Sequence, residues 1–240
     1  MKSLVVMPTY NESVNLPIMA ARLFDSVPDA ELLVVDDNSP DGTGAIADQL
    51  AAADIRVHVL HRLEKNGLGA AYRAGFAWGL ERGYDLLIEM DADGSHQASH
   101  LPAMLSAITE ADLVIGSRWT RGGSVVNWPW HRKVLSVGGN LYARLLLGLR
   151  INDATAGYRV FRKEAVERIG LLAGESTGYV FQIDSSFRAA RAGLRVVEVP
   201  IEFIERVNGV SKMSRAIVLE AMWQVTLWAW RHRVLRQPLV

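Results

Sequence analysis

The chain has 240 residues, half of them hydrophobic, which is enough for one large α/β domain with a sizeable core. Lysine plus arginine and aspartate plus glutamate both number 26, so the formal net charge is zero and bulk charge gives no support for nucleic-acid binding. The absence of cysteine excludes disulfides and thiolate metal sites. Because no signal-peptide pattern and no apolar run of about 20 residues is found, we expect a soluble or peripheral intracellular protein.

Apolar runs of strand length alternate with helical patterns along the first half of the chain. The first helix is expected to run to about Phe24, with Asn11 or Ser13 as its cap and Glu12 near its positive end. Continuous apolar strands alternating with helices predict a parallel sheet buried on both faces. The predicted strands are 4–7, 31–35, 56–60, 86–90 and 112–116, and the later helices are 44–52, 70–82 and 101–109.

Polar residues whose side chains can bind a ligand or take part in a reaction follow these strands at their carboxyl ends. Open parallel sheets bind ligands beyond the carboxyl ends of their strands, so the topology would bring these side chains to one rim. They are Tyr10 and Glu12 after the first strand, Asp36 and Asp37 after the second, Asp91 and Asp93 after the fourth, and Ser117 and Arg118 after the fifth.

The most informative strand end is 86–96, where Asp91 and Asp93 stand one residue apart. Two carboxylates at a sheet edge are hard oxygen ligands that suit Mg²⁺ or Mn²⁺ carrying a diphosphate. Alone, such a pair is more often an ordinary solvated turn, but the convergence of the other strand ends favours a metal and nucleotide-sugar site. The nearby Gly67-Leu68-Gly69 could cradle a phosphate, although close packing is the favoured role of its glycines.

The second half of the chain is less regular. After a loop at 121–124, a helix over 131–147 places Arg132 and Ser136 on one face. A helix opens at Gly178, and a strand is predicted over 195–201. The tail from Ala216 to Trp230 is helical in pattern, with tryptophans beside arginines, so it either lies at a membrane interface or docks on the domain. We expect a catalytic domain over 1–213 and an amphipathic helix within 214–240.

In their order and spacing, these motifs resemble glycosyltransferase family 2, and within it the dolichol-phosphate and polyprenol-phosphate mannose synthases of actinobacterial type. The resemblance implies a GT-A fold, which is Rossmann-like with a mostly parallel central sheet. It covers about residues 4–213 and is carried by 8–12, 35–43, 67–69, 90–96, 116–118, 178–182 and the loop containing Arg206, Gly209, Ser211 and Lys212.

The resemblance also implies a metal-dependent enzyme that uses Mg²⁺ or Mn²⁺. Its reaction would transfer mannose from GDP-mannose to a polyprenyl phosphate, with inversion at the anomeric carbon, giving polyprenyl phosphate mannose. UDP-glucose or another nucleotide sugar is the alternative donor, because only the resemblance selects guanine. The expected location is cytoplasmic, peripheral on the inner face of the cell membrane, with a separate membrane-anchoring protein as a further candidate partner and no nucleic acid.

Carried over by motif, the resemblance assigns roles to individual residues. Asp91, Asp93 and Arg118 would be catalytic, and Asp91 and Asp93 would hold the metal with Ser95, which stands where some relatives have glutamine. Glu12 and Asp37 would contact the nucleoside of the donor. The full donor set is Pro8, Tyr10, Glu12, Asp37, Gly67, Asp91, Ala92 and Asp93, and the acceptor-phosphate set is Arg118, Arg132, Ser136, Arg206 and Lys212.

A phosphate acceptor is also consistent with the residues themselves. A phosphate monoester is mostly dianionic at pH 7, so it needs cations to approach an anionic donor rather than a general base. Other interpretations stay open: Arg132 with Ser136 could be a solvated helix face, and His96 could approach the donor. Asp36 could equally bind a ligand or only cap or brace its turn. Arg159 and Arg188 are expected to be structural ion-pair partners, and His58, His61 and His96 show no metal-ligand spacing.

Overall fold

The computed structural model describes residues 1–174, 176, 178–205 and 215–233. The strands and helices of these residues largely follow the predicted pattern. The strands are β1 (Ser3–Thr9), β2 (Glu31–Asp36), β3 (Val57–His61), β4 (Leu86–Glu89), β5 (Leu113–Ser117), β6 (Ser124–Val126), β7 (Arg159–Arg162), β8 (Val196–Pro200) and β9 (Glu202–Ile204).

Helices separate the strands and cover both faces of the sheet. They are α1 (Asn15–Ser26), α2 (Thr43–Ala53), α3 (Leu68–Glu81), α4 (Leu101–Ala107), α5 (Trp130–Leu147), α6 (Lys163–Arg168), α7 (Gly178–Arg191) and α8 (Arg215–Arg233). Short 3₁₀ turns occupy Ala98–His100, Ile108–Glu110 and Leu171–Ala173.

The central sheet has seven strands in the order β3-β2-β1-β4-β7-β5-β8. All neighbours are parallel except β7, which runs antiparallel between β4 and β5. The predicted mostly parallel sheet is therefore confirmed, although the reversed strand was not predicted. Because β1, β2, β4 and β5 share one direction, their carboxyl ends lie at the same edge.

A small parallel sheet of β6 and β9 lies beside this edge. Its Phe203 forms an isolated antiparallel bridge with His96, at the end of the Asp91–His96 loop. The segment 121–124 was expected to be a loop, but its last residue, Ser124, is the first residue of β6. This pairing fixes the loop after β4 against the second half of the chain.

The core consists of two apolar layers, one on each face of the central sheet. Alternate residues of β1 enter opposite layers: Leu4 and Val6 one, Val5 and Met7 the other. All four are fully buried, as expected of a strand whose side chains alternate between two covered faces. This explains why the strand reads as one continuous apolar run.

The beginning of α1 differs from the prediction that Asn11 or Ser13 caps it. The helix begins at Asn15 behind Val14, without a side-chain cap. The two candidate caps serve the neighbouring loop instead, because the Asn11 N–H donates to Ser39 Oγ and the Ser13 N–H to Asp41 Oδ2. These bonds connect the loop after β1 to the loop after β2.

The tail helix α8 packs against α5 and α7. Its Val225 and Ala229 are buried, and the Trp228 ring stacks on Phe187 with centroids 6.5 Å apart. Apolar side chains also occur on its exposed side, where Trp223 is 67% exposed, so the predicted amphipathic character is not confirmed. Within the described residues, each helix is too short or too polar to cross a bilayer.

Candidate active site

The loops after β1 and β2 form one rigid corner of the site. Besides the bonds of Asn11 and Ser13, the Glu12 N–H donates to Thr43 Oγ1 at 3.0 Å. Asn11 and Asn38 have φ near +60°, a left-handed conformation that asparagine tolerates better than most residues. The predicted donor residues Pro8, Tyr10 and Glu12 thus lie on or beside a loop held by its neighbour.

The two aspartates that end β2 have different roles. Asp36 accepts hydrogen bonds from Thr9 and from the backbone and hydroxyl of Ser39, so it braces its turn. Asp37 pairs with Arg62 at 2.6 Å. Burial raises the pKa of Asp37, and the Arg62 guanidinium offsets this only in part. Asp37 therefore remains the candidate for binding the nucleoside.

Cations and glycines complete this side of the site. The Lys65 ammonium lies 3.8 Å from the centre of the Tyr10 ring. Gly67 has φ of +85°, which favours glycine at the start of α3. A Cβ on Gly69 would approach the Ser176 carbonyl oxygen to 2.8 Å, so the packing role favoured for Gly69 is confirmed.

Asp91 follows β4 and is held from two sides. The Tyr72 hydroxyl donates to Asp91 Oδ1 at 3.0 Å, and the Asp91 N–H donates to Nδ1 of His96 at 3.0 Å. Burial and the Asp91 carboxylate raise the pKa of Tyr72, so its hydroxyl stays protonated and able to donate. His96, for which an approach to the donor was left open, orients the backbone of Asp91 through this bond.

Asp93 is bound by the residue predicted as its fellow metal ligand. Both the backbone N–H and the hydroxyl of Ser95 donate to Asp93 Oδ1, at 3.0 and 2.6 Å. Ser95 is buried, and Ala92 is buried between the two aspartates. The geometry therefore makes Ser95 an orienting partner of Asp93, and its role as a direct ligand stays a prediction.

The chemistry of the donor set fits a cation shared with a substrate. Within the described residues, no three His, Cys, Asp or Glu side chains are arranged to hold a metal ion. Mg²⁺ and similar ions are commonly held by one or two carboxylates together with water and substrate phosphates. Asp91 and Asp93 match that pattern, in which water and the phosphates of a substrate supply the remaining ligands.

Below the two aspartates, Glu89 is completely buried. Gln182 Nε2 donates to Glu89 Oε2 at 2.8 Å. Burial raises the pKa of Glu89 to about 8, although the nearby charge of Arg159 and the bond from Gln182 act in the opposite direction. The remaining oxygen of each side chain, Oε1 of Glu89 and of Gln182, is buried with no hydrogen-bond partner within the described residues.

Arg118 follows β5 and is anchored by Asp153. Its Nε and Nη2 donate to the two carboxylate oxygens, each at 2.7 Å, and Nη2 also reaches the Thr155 hydroxyl. Burial alone would raise the pKa of Asp153, but the Arg118 guanidinium outweighs it and holds this pKa below its usual range. The predicted phosphate-binding arginine is therefore held in a fixed orientation.

The predicted acceptor residues on α5 lie beside two tryptophans. Arg132 pairs with Glu205 and stacks on Trp128, 4.2 Å from the ring centre. Ser136 Oγ accepts from Trp119 Nε1 at 3.3 Å. Arg132 Nε and Trp128 Nε1 are two buried N–H donors with no acceptor within the described residues. Arg132 with Ser136 is therefore not a solvated helix face.

A continuous set of aromatic contacts connects the carboxylates to the arginines. The Phe203 ring lies 5.6 Å from the His96 ring and 5.5 Å from the Arg118 guanidinium. Trp128 contacts Phe203, Arg118 and Arg132. The structure thus brings Asp91, Arg118 and Arg132 to one edge, as predicted, whereas Arg206 and Lys212 lie outside the described residues.

Arg159 and Arg188 were expected to be structural ion-pair partners, and the ion pair is found for Arg188. Arg159 is fully buried and donates to the carbonyls of Ala154 and Ala156 and to the hydroxyls of Ser185 and Ser186. Arg188 pairs with Asp184 one helical turn away.

Several partners of the site were not predicted. Tyr72, Asp153 and Glu205 each bind a predicted site residue, and Trp128 stacks on the same arginine that Glu205 binds. In the sequence Tyr72 belongs to the apolar face of α3, so nothing in the pattern indicates a contact with the site. Asp153 offers a faint one, because it is the first acidic residue after a 40-residue stretch, 113–152, that contains arginines but no aspartate or glutamate.

Comparison with known proteins identifies close relatives. The family described as Glycosyl transferase family 2 matches residues 4–170. An undecaprenyl-phosphate mannosyltransferase from Micrococcus luteus is 59% identical over 228 residues, which are 95% of this chain and 94% of that protein. A polyprenol monophosphomannose synthase from Mycolicibacterium smegmatis is 57% identical over 235 residues, covering 97% and 89%.

Solved structures with lower identity share the fold. A mannosyltransferase from Pyrobaculum calidifontis, in complex with GDP-Man and Mn²⁺, has a TM-score of 0.61 at 17% identity, covering 100% of this chain and 65% of that one. Glucosyl-3-phosphoglycerate synthase from Mycobacterium tuberculosis, in complex with Mn²⁺, UDP and glucosyl-3-phosphoglycerate, has a TM-score of 0.66 at 20% identity, covering 97% and 79%. These likenesses confirm the GT-A fold.

Proposed function

Because the chain belongs to glycosyl transferase family 2, we propose that it transfers mannose from GDP-mannose to a polyprenyl phosphate, with inversion at the anomeric carbon. The product would be polyprenyl phosphate mannose, a lipid-linked mannose donor. The two relatives that are 59% and 57% identical over nearly their whole length are named for mannosyl transfer to such lipids, which supports the acceptor and the sugar.

The observation that carries the proposal is the connected edge that joins two carboxylates to two arginines. Asp91 and His96 lie at one end, Phe203 and Trp128 in the middle, and Arg132 at the other. A donor diphosphate needs the first end and an acceptor phosphate the second. Two buried donors there, Arg132 Nε and Trp128 Nε1, and one buried acceptor, Glu205 Oε2, have no partner within the described residues, so the arginine charges rather than these groups support an anion.

The chemistry of the acceptor explains why cations, rather than a general base, face the donor. A phosphate monoester is mostly dianionic at pH 7 and is already a nucleophile. Its oxygen would form the new bond to the anomeric carbon while the bond to GDP breaks on the opposite face, which inverts the centre. Arg118 and Arg132 would hold the acceptor, and Asp153 keeps Arg118 aligned for it.

On the donor side, Asp37 and Glu12 would bind the nucleoside, next to Pro8, Tyr10 and Gly67. Asp91 and Asp93 would hold Mg²⁺ or Mn²⁺ with the diphosphate, and Ser95 and Tyr72 would keep these carboxylates oriented. When bound, the cation would stabilise the negative charge that builds on the leaving diphosphate. Positioning and electrostatics would then supply most of the rate.

The alternative is the same transfer from UDP-glucose or another nucleotide sugar. A neighbour of known structure contains UDP, but at 20% identity it supports the fold only. We assign the transfer to residues 1–213 and place the protein peripherally on the inner face of the cell membrane, where a polyprenyl phosphate and a separate anchoring protein would meet it.

The deciding experiment gives the purified protein a long polyprenyl phosphate with Mg²⁺ or Mn²⁺ and labelled GDP-mannose or UDP-glucose in parallel. We expect lipid-extractable label from GDP-mannose, little from UDP-glucose, and none after chelation with EDTA. The matched control is Asp93→Ala, which removes one carboxylate and should yield no lipid-linked label. Label from UDP-glucose alone would overturn the choice of donor, and no label from either would overturn the reaction.

A further inference from the structure

Helix α5 presents an apolar stripe to solvent, which the proposed reaction does not require. Five side chains of the helix are between 45% and 78% exposed, although each is large and hydrophobic. At 3.6 residues per turn they fall within an arc of about 80° and extend for about 22 Å along the helix. The α5 stripe consists of Trp130, Val134, Val137, Leu141 and Leu145.

The exposed charged side chains of α5 itself all have one sign. Residues 113–152 contain six lysines and arginines and no aspartate or glutamate, and two of the six, Arg118 and Arg132, are paired with carboxylates from elsewhere in the chain. Lys133 and Arg144 are exposed on one side of the stripe, and the exposed His131 lies on the other. The exposed residues of α5 are therefore apolar, glycine or basic throughout, although the chain as a whole has zero net charge.

We propose that the α5 stripe is the surface by which this protein docks on an anionic lipid bilayer. A helix with an exposed apolar stripe, bordering cations and a tryptophan can lie in the plane of the headgroups with its apolar side among the acyl chains. Each cation near an anionic leaflet adds to the attraction. A second copy of the chain fits less well, because its own cations would meet those of the first.

Two neighbouring features extend the stripe. Val137 and Leu141 also line a cavity of about 200 Å³ together with Trp119, whose indole binds Ser136. An apolar chain lying along the stripe would therefore lead toward the proposed acceptor site. On the other side, Tyr142 contacts Thr226 of α8 at 2.6 Å, and the exposed Trp223 of α8 lies one turn from that contact.

This inference assigns the principal membrane contact to α5 rather than to α8. It goes beyond the proposed reaction, because the stripe and its charges need only lipid and no substrate. Docking and transfer can therefore succeed or fail independently, and each has its own measurement.

The test compares sedimentation with vesicles of equimolar phosphatidylcholine and phosphatidylglycerol, in the absence of substrates. The docking variant carries Val134→Glu and Leu145→Glu, which place two negative charges on the stripe. The matched control carries Ile18→Glu and Ile55→Glu, two exposed apolar positions on α1 and after α2. Thermal unfolding verifies that both variants fold.

We expect wild type and the control to bind these vesicles, and the docking variant to bind at least about tenfold more weakly. Binding of wild type should fall sharply on vesicles of phosphatidylcholine alone. With a short, water-soluble prenyl phosphate as acceptor, the docking variant should retain its transfer rate, which separates lost docking from lost catalysis.

Three outcomes would overturn the proposal. Wild type could fail to bind the anionic vesicles, or the docking variant could bind as wild type does. Wild type could also be a dimer in solution that the docking variant converts to a monomer without weaker vesicle binding, which would make the stripe a protein interface.

Discussion

Ser95 orients Asp93, a carboxylate that we propose as a metal ligand. The Ser95 hydroxyl donates to Asp93 Oδ1, so its proton and its orientation are already used. Groups that orient a ligand in this way commonly contribute 10- to 100-fold to metal affinity. The serine in this position is therefore compatible with a working site, although it is shorter than glutamine.

Ser95→Ala should weaken binding of Mn²⁺ in the presence of GDP by about tenfold, because Asp93 loses its orienting partner. Asp93→Ala should lower the transfer rate by at least about 10²-fold, since a ligand itself is lost. Calorimetric titration measures the affinity and initial rates the transfer. The exposed Ser106→Ala is the matched control and should change neither.

A loss of turnover in Ser95→Ala as complete as that in Asp93→Ala would show that Ser95 is a ligand after all.

Glu89 is a second residue whose hydrogen bonding leads to a prediction. Its Oε1 and that of Gln182 are two buried acceptors without a donor within the described residues, on side chains that already share one hydrogen bond. A proton on Glu89 would allow it to donate back to Gln182, closing the two-bond ring that an acid and an amide form. Burial, which raises its pKa to about 8, favours that protonated form.

Glu89→Gln should therefore fold with a free energy of unfolding at least equal to that of wild type at pH 7. A glutamine can form the same two bonds and, unlike a buried glutamate, need not take up a proton on folding. Glu89→Ala should cost about 2–4 kcal/mol, because it leaves a cavity and an unpaired Gln182. Urea unfolding of protein freed of divalent cations measures both. Strong destabilisation by Glu89→Gln would show that the carboxylate form is required.

At the scale of elements, α8 is bound to the domain by one side and exposed on the other. Trp228 stacks on Phe187 of α7, whereas Trp230 is 52% exposed. Both tryptophans belong to the same helix, so they form an internally matched pair. The buried side of α8 agrees with the expectation that the tail docks on the domain. The exposed side is compatible with contact to a membrane, which stays a prediction.

Trp228→Ala should lower the free energy of unfolding by about 2 kcal/mol, because removal of a partly buried aromatic side chain leaves a cavity. Trp230→Ala should change it by less than about 0.5 kcal/mol, as expected for an exposed position. Thermal and urea unfolding distinguish the two. Equal destabilisation would contradict the packing of α8 described above.

At the scale of the whole molecule, what could be predicted from the sequence depended on how local each signal was. The strand ends, with Asp37, Asp91 and Arg118, follow apolar runs directly, so the edge where they meet was predictable. The antiparallel β7 and the Phe203 contact were not, because they arise from pairing between distant segments. Arg118 was predicted to bind phosphate, but its pairing with Asp153, 35 positions away, likewise has no local signal.

The sheet edge that carries Asp37, Asp91 and Asp93 should bind the whole nucleotide. The resulting increase in the free energy of unfolding measures this binding. GDP with Mn²⁺ at about 100 times its dissociation constant should add about 2.7 kcal/mol to the free energy of unfolding. In a chain of this size that corresponds to a rise in Tm of about 5–10 °C. UDP at the same concentration should raise the Tm less, and EDTA should remove most of the GDP effect.

Asp93→Ala provides the control for this shift, because it removes a proposed metal ligand and leaves Asp37 and Glu12 unchanged. Its Tm should respond weakly to GDP and not to Mn²⁺. An equal rise with UDP and GDP would contradict selection of guanine, and a full rise in EDTA would contradict a cation shared with the diphosphate. The shift in Tm measures nucleotide binding in the absence of a bilayer and of an acceptor. The result therefore bears only on the donor half of the site.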